Sequence, residues 1–208
     1  MRESNFVPQN LENDQKKENI WNLPNLLTLF RIIFAFVAAY FIFGGFDIVY
    51  IVVAFIIGML TDFFDGLVAR TFNLKTEFGR QFDMIADRIL IVGVALAFII
   101  KFNMLGILTG SHYFQIIFML LREILTTPIA LVTMSIGAGI PQVRFIGKAT
   151  TVMQSVTFPA ILLSIFYEIF SFSIYFAIAT GIIGFIASIY YIYDMKNLMT
   201  KTTKQQKQ

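Results

Sequence analysis

The chain contains no cysteine, and only one histidine and one tryptophan occur among its 208 residues. The lack of cysteine excludes disulfide bonds, thiolate metal ligands and a cysteine nucleophile. Charge is also scarce, because charged residues make up 14% of the chain, whereas ordinary soluble domains carry about 25%. So few polar groups cannot cover the surface of a soluble protein of this size, and the composition therefore favours a chain that contacts lipid.

What the chain has in excess is apolar sequence, at 57% of its residues and a mean hydropathy of +0.74. After a polar start, six apolar segments follow, each close to the roughly 20 residues that cross a bilayer as a helix. They cover residues 26–43, 48–70, 82–101, 113–136, 147–167 and 172–194. We therefore predict an all-α integral membrane protein with six transmembrane helices.

A single domain over residues 1–208 accounts for this pattern, with a six-helix core at 26–194 and a tail at 195–208. The first segment, 1–24, lacks the apolar stretch of a signal peptide. Within it, Trp21 and its apolar neighbours lie among polar residues, which predicts a short amphipathic helix on the membrane surface at 11–22.

The distribution of Lys and Arg predicts the orientation. Six spans put both ends of the chain on one side, and all of the 16 basic residues except Lys101 and Arg122 fall on that side or at its span ends. Basic loops stay in the cytoplasm. We therefore expect both termini and the loops at 71–81 and 137–146 to be cytoplasmic. The net charge of +3 then reflects topology and gives no support for nucleic-acid binding.

Four aspartates flank the loop between spans two and three. Asp62 and Asp65 are three residues apart, and Asp83 and Asp87 are four apart, so each pair faces one side of its helix. The hairpin would bring the two faces together near the membrane surface. Clustered carboxylates bind hard divalent cations, which also engage substrate phosphates, so the pattern predicts a site for two Mg²⁺ or Mn²⁺ ions.

A simpler interpretation is that these aspartates cap helices or pair with Arg70, Arg80 and Arg88 at the membrane surface. Four ionisable groups beside long apolar spans argue against it, because charge at that depth is costly and usually functional. Gly66 and Gly79 would let a ligand approach the backbone closely, or would serve helix packing.

These residues together resemble the signature of the CDP-alcohol phosphatidyltransferases. The matching positions are Asp62-x-x-Asp65-Gly66-x-x-Ala69-Arg70, then eight residues, then Gly79-x-x-x-Asp83-x-x-x-Asp87. The resemblance implies an enzyme with six spans in which an alcohol attacks the β-phosphate of a CDP-linked lipid and CMP leaves. It implies metal binding by Asp62, Asp65, Asp83 and Asp87, catalysis by Asp87 as general base together with Asp83, and CDP contacts from Gly66, Ala69, Arg70 and Gly79.

Three other segments resemble the phosphatidylglycerophosphate synthases within that family: residues 22–31 (NLPNLLTLFR), the pair Arg122-Glu123, and residues 144–151 (RFIGKATT). Arg122, Arg144 and Lys148 supply three cations for an acceptor that carries its own phosphate, such as glycerol 3-phosphate. Arg144 and Lys148 also fit a purely topological role. Because neighbours on a helix point in different directions, we expect Arg122 to have a partner other than Glu123.

The acceptor stays open at this stage. The synthases commonly read Asp-Pro-x-Ala-Asp-Lys across the last two aspartates, whereas this chain has residues 83–88 as DMIADR. Inositol phosphate or another alcohol as acceptor, and an archaeal CDP-lipid in place of CDP-diacylglycerol, are therefore alternatives. A cation transporter is a more remote one, because transporters place their carboxylates near mid-membrane and these lie at span ends.

Small residues in the last span allow close helix contacts. Ala177 and Gly181, and Gly184 and Ser188, are pairs at the spacing used by membrane helices that pack tightly. They fit either a homodimer face, which the family resemblance also implies, or packing inside the chain.

Overall fold

The computed structural model describes the backbone of residues 23–71, 77–135 and 145–205, and their side chains except at 63, 65–71, 77, 133–135 and 199–205. These residues form helices joined by short connections, with no strand among them. The all-α prediction is confirmed for this part of the chain. The interfacial helix predicted at 11–22 lies outside the described residues.

Eight α-helices follow one another along the chain. They are α1 (Leu23–Gly44), α2 (Ile48–Thr71), α3 (Glu77–Arg88), α4 (Val94–Met104), α5 (Gly110–Met119), α6 (Leu121–Ser135), α7 (Phe145–Ser164) and α8 (Ser173–Gln205). A π-helical turn at Ile89–Gly93 joins α3 to α4, and a 3₁₀ turn at Glu168–Phe170 precedes α8.

The six predicted spans coincide with helical stretches, and some of these helices qualify as membrane crossings by length and composition. Two helices are long and apolar enough to cross a bilayer, Leu23–Gly44 and Glu168–Leu198. The pair α5 and α6, bent by 46° at Leu120, adds a third if it counts as one span. The apolar helix Ile48–Asp62 is shorter. Among the described residues, two or three crossings are therefore supported, and six stays a prediction.

The helix breaks form where the sequence places turn residues. Gly45 and Gly106 follow α1 and α4 with φ of 70° and 67°, a left-handed conformation that favours glycine. Asp47 Oδ1 accepts a hydrogen bond of 2.9 Å from the Val49 N–H and so caps α2. The single histidine, His112, lies in the first turn of α5, where Nδ1 accepts a 3.1 Å hydrogen bond from the Thr109 N–H.

Aromatic rings fill the interior. Phe55 of α2, Phe98 of α4 and Phe158 of α7 are fully buried, and the ring centroids of Phe55 and Phe158 are 4.7 Å apart in an edge-to-face contact. Many large apolar side chains are exposed instead, among them Phe36 and Tyr175. An apolar interior together with an apolar exterior is typical of helices that contact lipid.

The small residues of α8 serve packing inside the chain. Ala177, Gly181, Gly184 and Ser188 are all buried. A Cβ at Gly181 would lie 2.5 Å from the ring of Phe118, because α8 packs closely on α5. These pairs therefore do not form a homodimer face.

Candidate active site

Three of the four predicted carboxylates, one from α2 and two from α3, come together in the structure. Asp62 lies in the second half of α2, and Asp83 and Asp87 are one helical turn apart on α3. One carboxylate oxygen from each of the three lies within 4.8 Å of the others. Asp65 is part of the α2 backbone, but its side chain lies outside the described residues.

The side chain of Arg31 from α1 joins these carboxylates. Its Nη1 donates to Asp83 Oδ1 at 2.6 Å and to Asp87 Oδ1 at 2.8 Å, and its Nη2 pairs with Asp62 Oδ1 at 2.9 Å. The Arg31 side chain has no exposed surface, whereas the side chains of Asp62, Asp83 and Asp87 are 28%, 40% and 23% exposed. The carboxylates therefore meet the arginine at a buried position and remain accessible from solvent.

Sequence reasoning missed this role of Arg31, which it treated as one of the basic residues that set topology and as part of a subfamily segment. The signal was its position. Arg31 lies nine residues into α1, after Leu29 and Phe30 and before Ile32 and Ile33, and a charge inside an apolar helix requires a partner. The partner could not be identified, because its carboxylates lie 31 to 56 residues further along the chain.

The described carboxylates fit a divalent cation. Carboxylate oxygens are the ligands that Mg²⁺ and Mn²⁺ prefer, and Mg²⁺ holds them at about 2.1 Å, so opposite ligands lie about 4.2 Å apart. The three oxygens, within 4.8 Å of one another, approach that arrangement with only a small adjustment. Asp62, Asp83 and Asp87 would hold the ion.

The residues expected to contact CDP are only partly visible. Gly66, Ala69 and Arg70 continue α2 beyond Asp62, but their surroundings lie outside the described residues. Gly79 is partly exposed and lies on α3, four residues before Asp83. The structure therefore places all four next to the carboxylates along their helices and leaves their contacts open.

The sequence predicted that Arg122 would have a partner other than Glu123. In the structure Arg122 contacts Glu123 and also the helix α7. Nε and Nη2 each lie 2.8 Å from Glu123 Oε1, although adjacent residues on a regular helix diverge. The pair lies in the first turn of α6, directly after the bend at Leu120, where the helix is not regular. Nη1 donates to the Gly147 carbonyl at 2.7 Å and to Thr151 Oγ1 at 3.1 Å, so Arg122 ties α6 to α7.

The three cations expected at the acceptor have different surroundings. Arg122 is close enough to Asp62 and Asp87 for its charge to act on both carboxylates. Lys148 is exposed in the first turn of α7, next to the Gly147 carbonyl that Arg122 contacts. Arg144 lies outside the described residues. Arg122 is therefore the only one of the three whose proximity to the carboxylates is described.

Arg88, which a structural interpretation would pair with the aspartates, makes other contacts. Its Nε donates to Thr127 Oγ1 at 2.9 Å, and its Nη1 donates to the Met84 carbonyl at 3.0 Å. Among the described side chains, Arg31 is the arginine that forms ion pairs with Asp62, Asp83 and Asp87.

Comparison with known proteins identifies the family of the chain. The sequence model of the CDP-alcohol phosphatidyltransferase family matches residues 21–187. A protein of Wigglesworthia glossinidia brevipalpis named CDP-diacylglycerol–glycerol-3-phosphate 3-phosphatidyltransferase is 31% identical over 83% of this chain and 93% of its own length.

Two further relatives match shorter stretches. A Rickettsia felis protein of the same name is 40% identical over 39% of this chain. That match covers only 46% of the relative's own length. A probable phosphatidylglycerophosphate synthase of Mycobacterium tuberculosis is 38% identical over 67% of this chain and 65% of its own length. The family match covers the carboxylates and every helix that contacts them, and the chain belongs to the CDP-alcohol phosphatidyltransferase family of transferase enzymes.

Proposed function

We propose that the protein transfers a phosphatidyl group from CDP-diacylglycerol to glycerol 3-phosphate and releases CMP, in a reaction that depends on divalent metal ions. The observation that carries the proposal is the convergence of Asp62, Asp83 and Asp87 from two helices. The printed names of the relatives, which specify CDP-diacylglycerol and glycerol 3-phosphate, support the choice of substrates.

The proposed chemistry is a displacement at phosphorus. The acceptor hydroxyl oxygen bonds to the β-phosphorus of the CDP-lipid, the bond from that phosphorus to the bridging oxygen breaks, and CMP leaves with the bonding electrons. Asp87 accepts the hydroxyl proton, provided that its carboxylate lies within hydrogen-bond reach of the acceptor. Divalent ions held by Asp62, Asp65, Asp83 and Asp87 would neutralise the charge that develops on the diphosphate.

For the acceptor phosphate we propose Arg122, Arg144 and Lys148. The side chain of Lys148 is exposed in the first turn of α7, where its ammonium group can meet a phosphorylated acceptor from the solvent. Arg122 already contacts Glu123, Gly147 and Thr151, so we expect it to contribute mainly its charge. For the CDP moiety we propose Gly66, Ala69, Arg70 and Gly79.

The proposal also concerns the membrane topology of the protein and the side from which each substrate enters. The six apolar segments of the sequence would give six crossings, and the basic residues at both ends of the chain favour a cytoplasmic location for the termini and the active site. CDP-diacylglycerol would then enter from the bilayer and the acceptor from the aqueous side. A homodimer, as the family resemblance implies, would use a lipid-facing surface other than the buried small residues of α8.

The test is a CMP-release assay with purified protein, CDP-diacylglycerol, Mg²⁺ or Mn²⁺, and a panel of acceptors: glycerol 3-phosphate, inositol phosphate and unphosphorylated glycerol. We expect release only with glycerol 3-phosphate. Release with inositol phosphate alone would keep the reaction and change the acceptor. No release with any acceptor, together with ion flux in proteoliposomes, would favour the transporter.

A further inference from the structure

The guanidinium of Arg31 lies among three carboxylates of the described residues. Its two terminal nitrogens lie 2.6 to 2.9 Å from one oxygen each of Asp62, Asp83 and Asp87. Three carboxylates this close repel one another strongly, and a buried guanidinium with no counter-charge would be equally costly. Each therefore stabilises the other, and α1 is held to α2 and α3 through this contact.

The same contact opposes the binding of a divalent ion. Nη1 donates to Asp83 Oδ1 and Asp87 Oδ1, one oxygen from each of two carboxylates in the group that would hold the ion. A cation near those oxygens meets the positive charge of Arg31 at a few ångströms, where two like charges repel each other even in a partly solvated site. Arg31 also stabilises the three carboxylates by ion pairing at one oxygen of each, so an ion gains less from neutralising them than it would without the arginine.

We propose that Arg31 is the permanent counter-ion of the carboxylate cluster. Its charge stabilises the protein when no divalent ion is bound, and the same charge lowers the affinity of the cluster for a divalent ion. The inference rests on the proposed function, because it treats the cluster as the ion site. The negative charge of a substrate diphosphate would offset the repulsion from Arg31, so ion and substrate would bind cooperatively.

The experiment measures ion binding directly, without lipid substrate or turnover. Mn²⁺ is titrated into purified protein in detergent, and free Mn²⁺ is followed by electron paramagnetic resonance, while the unfolding temperature is recorded with and without the ion. Three variants are compared with wild type: Arg31→Gln, Arg31→Lys and, as a matched loss of one positive charge, Lys101→Gln. The Lys101 ammonium contacts the Phe43 carbonyl at the far end of α1. Asp62→Asn identifies the site, because it should weaken the measured binding.

We expect Arg31→Gln to bind Mn²⁺ about tenfold more tightly than wild type. Its ion-free form should unfold at a lower temperature, and the rise in that temperature on adding Mn²⁺ should be larger than in wild type. Lys101→Gln should match wild type in both measurements. Unchanged or weaker Mn²⁺ binding by Arg31→Gln would overturn the inference and make Arg31 a residue that positions the ligands.

Arg31→Lys keeps the test decisive if Arg31→Gln does not fold. The ammonium retains the charge but lacks the fork that reaches three carboxylates. Because charge is the proposed cause, its Mn²⁺ dissociation constant should stay within about threefold of wild type, and a change beyond about tenfold in either direction would contradict the proposal.

Finally, adding CDP to wild type should tighten Mn²⁺ binding. Wild type that binds Mn²⁺ with the expected Arg31 dependence but releases no CMP would refute the proposed function alone.

Discussion

Gln154 of α7 donates a hydrogen bond of 2.6 Å to Glu123 Oε2 of α6, and both side chains are buried. The other carboxylate oxygen of Glu123 accepts from Arg122 at 2.8 Å. Gln154 also donates to the Met119 carbonyl at 3.0 Å, at the end of α5. One buried carboxylate thus joins the bend between α5 and α6 to α7, and it fixes the position of the Arg122 guanidinium near the aspartates.

We predict that Glu123→Gln destabilises the protein by about 3 kcal/mol, because the mostly buried charge of Arg122 loses the carboxylate that it contacts directly. For a chain of this size that corresponds to a fall of roughly 6 to 12 °C in unfolding temperature. Differential scanning fluorimetry of purified protein measures it. The matched control is Glu168→Gln in the exposed 3₁₀ turn, which should leave the unfolding temperature unchanged, and an equal effect of both variants would contradict the prediction.

Because its side chain is exposed, Lys148→Ala should leave the unfolding temperature unchanged, while it raises the KM for glycerol 3-phosphate at least tenfold. Arg122→Ala should raise the KM and also destabilise the protein, because its guanidinium ties α6 to α7. Steady-state CMP release separates the two effects. An unchanged KM in Lys148→Ala would remove this residue from the acceptor site.

Asp87→Asn should lower the rate of CMP release at least a hundredfold, the usual effect of losing a general base. The protein should remain folded, since Asn keeps the size of the side chain and a polar partner for Arg31. The control is Asp47→Asn at the start of α2, where Asn caps a helix as well as Asp does. Retained turnover in Asp87→Asn would assign the proton transfer to another group.

Removing divalent ions should stop CMP release completely, and adding Mg²⁺ or Mn²⁺ in excess of the chelator should restore it. The reason is that three clustered carboxylates without metal would repel the diphosphate of the substrate. The measurement is turnover after dialysis against EDTA, with Zn²⁺ and Ca²⁺ as further additions. Turnover that persists without ions would mean that Arg31 alone compensates the charge.

Local patterns in the sequence predicted most of the helices. The hydropathy of residues 26–43 and 48–70 defines α1 and α2, and Gly45 and Asp47 mark the turn between them, because helix ends depend on nearby residues. The approach of Asp83 and Asp87 to Asp62 was also predictable, since helical spacing and a short hairpin leave few other arrangements.

Contacts between distant residues were not predictable. Arg31 and Asp87 are 56 positions apart, and nothing in either segment specifies that α1 packs beside α3. The helices on either side of the bend at Leu120, α5 and α6, both pack against α8, and directly after that bend Arg122 contacts its own neighbour Glu123. A sequence pattern shows which side chain needs a partner but does not show which helix provides it.

Gly181→Ala tests the close packing of α8 on α5. A Cβ there would lie 2.5 Å from the Phe118 ring and 3.0 Å from its carbonyl oxygen, and a backbone atom cannot move away cheaply. Alanine would gain about 1 kcal/mol in helix propensity, but overpacking of this kind costs about 1 to 3 kcal/mol. We therefore expect a net fall in unfolding temperature.

Gly110→Ala is the matched control, because nothing lies within 4 Å of its Cβ position. The same exchange there should leave stability unchanged or raise it. Equal effects at both positions would show that helix propensity, and not contact between α8 and Phe118, decides the outcome.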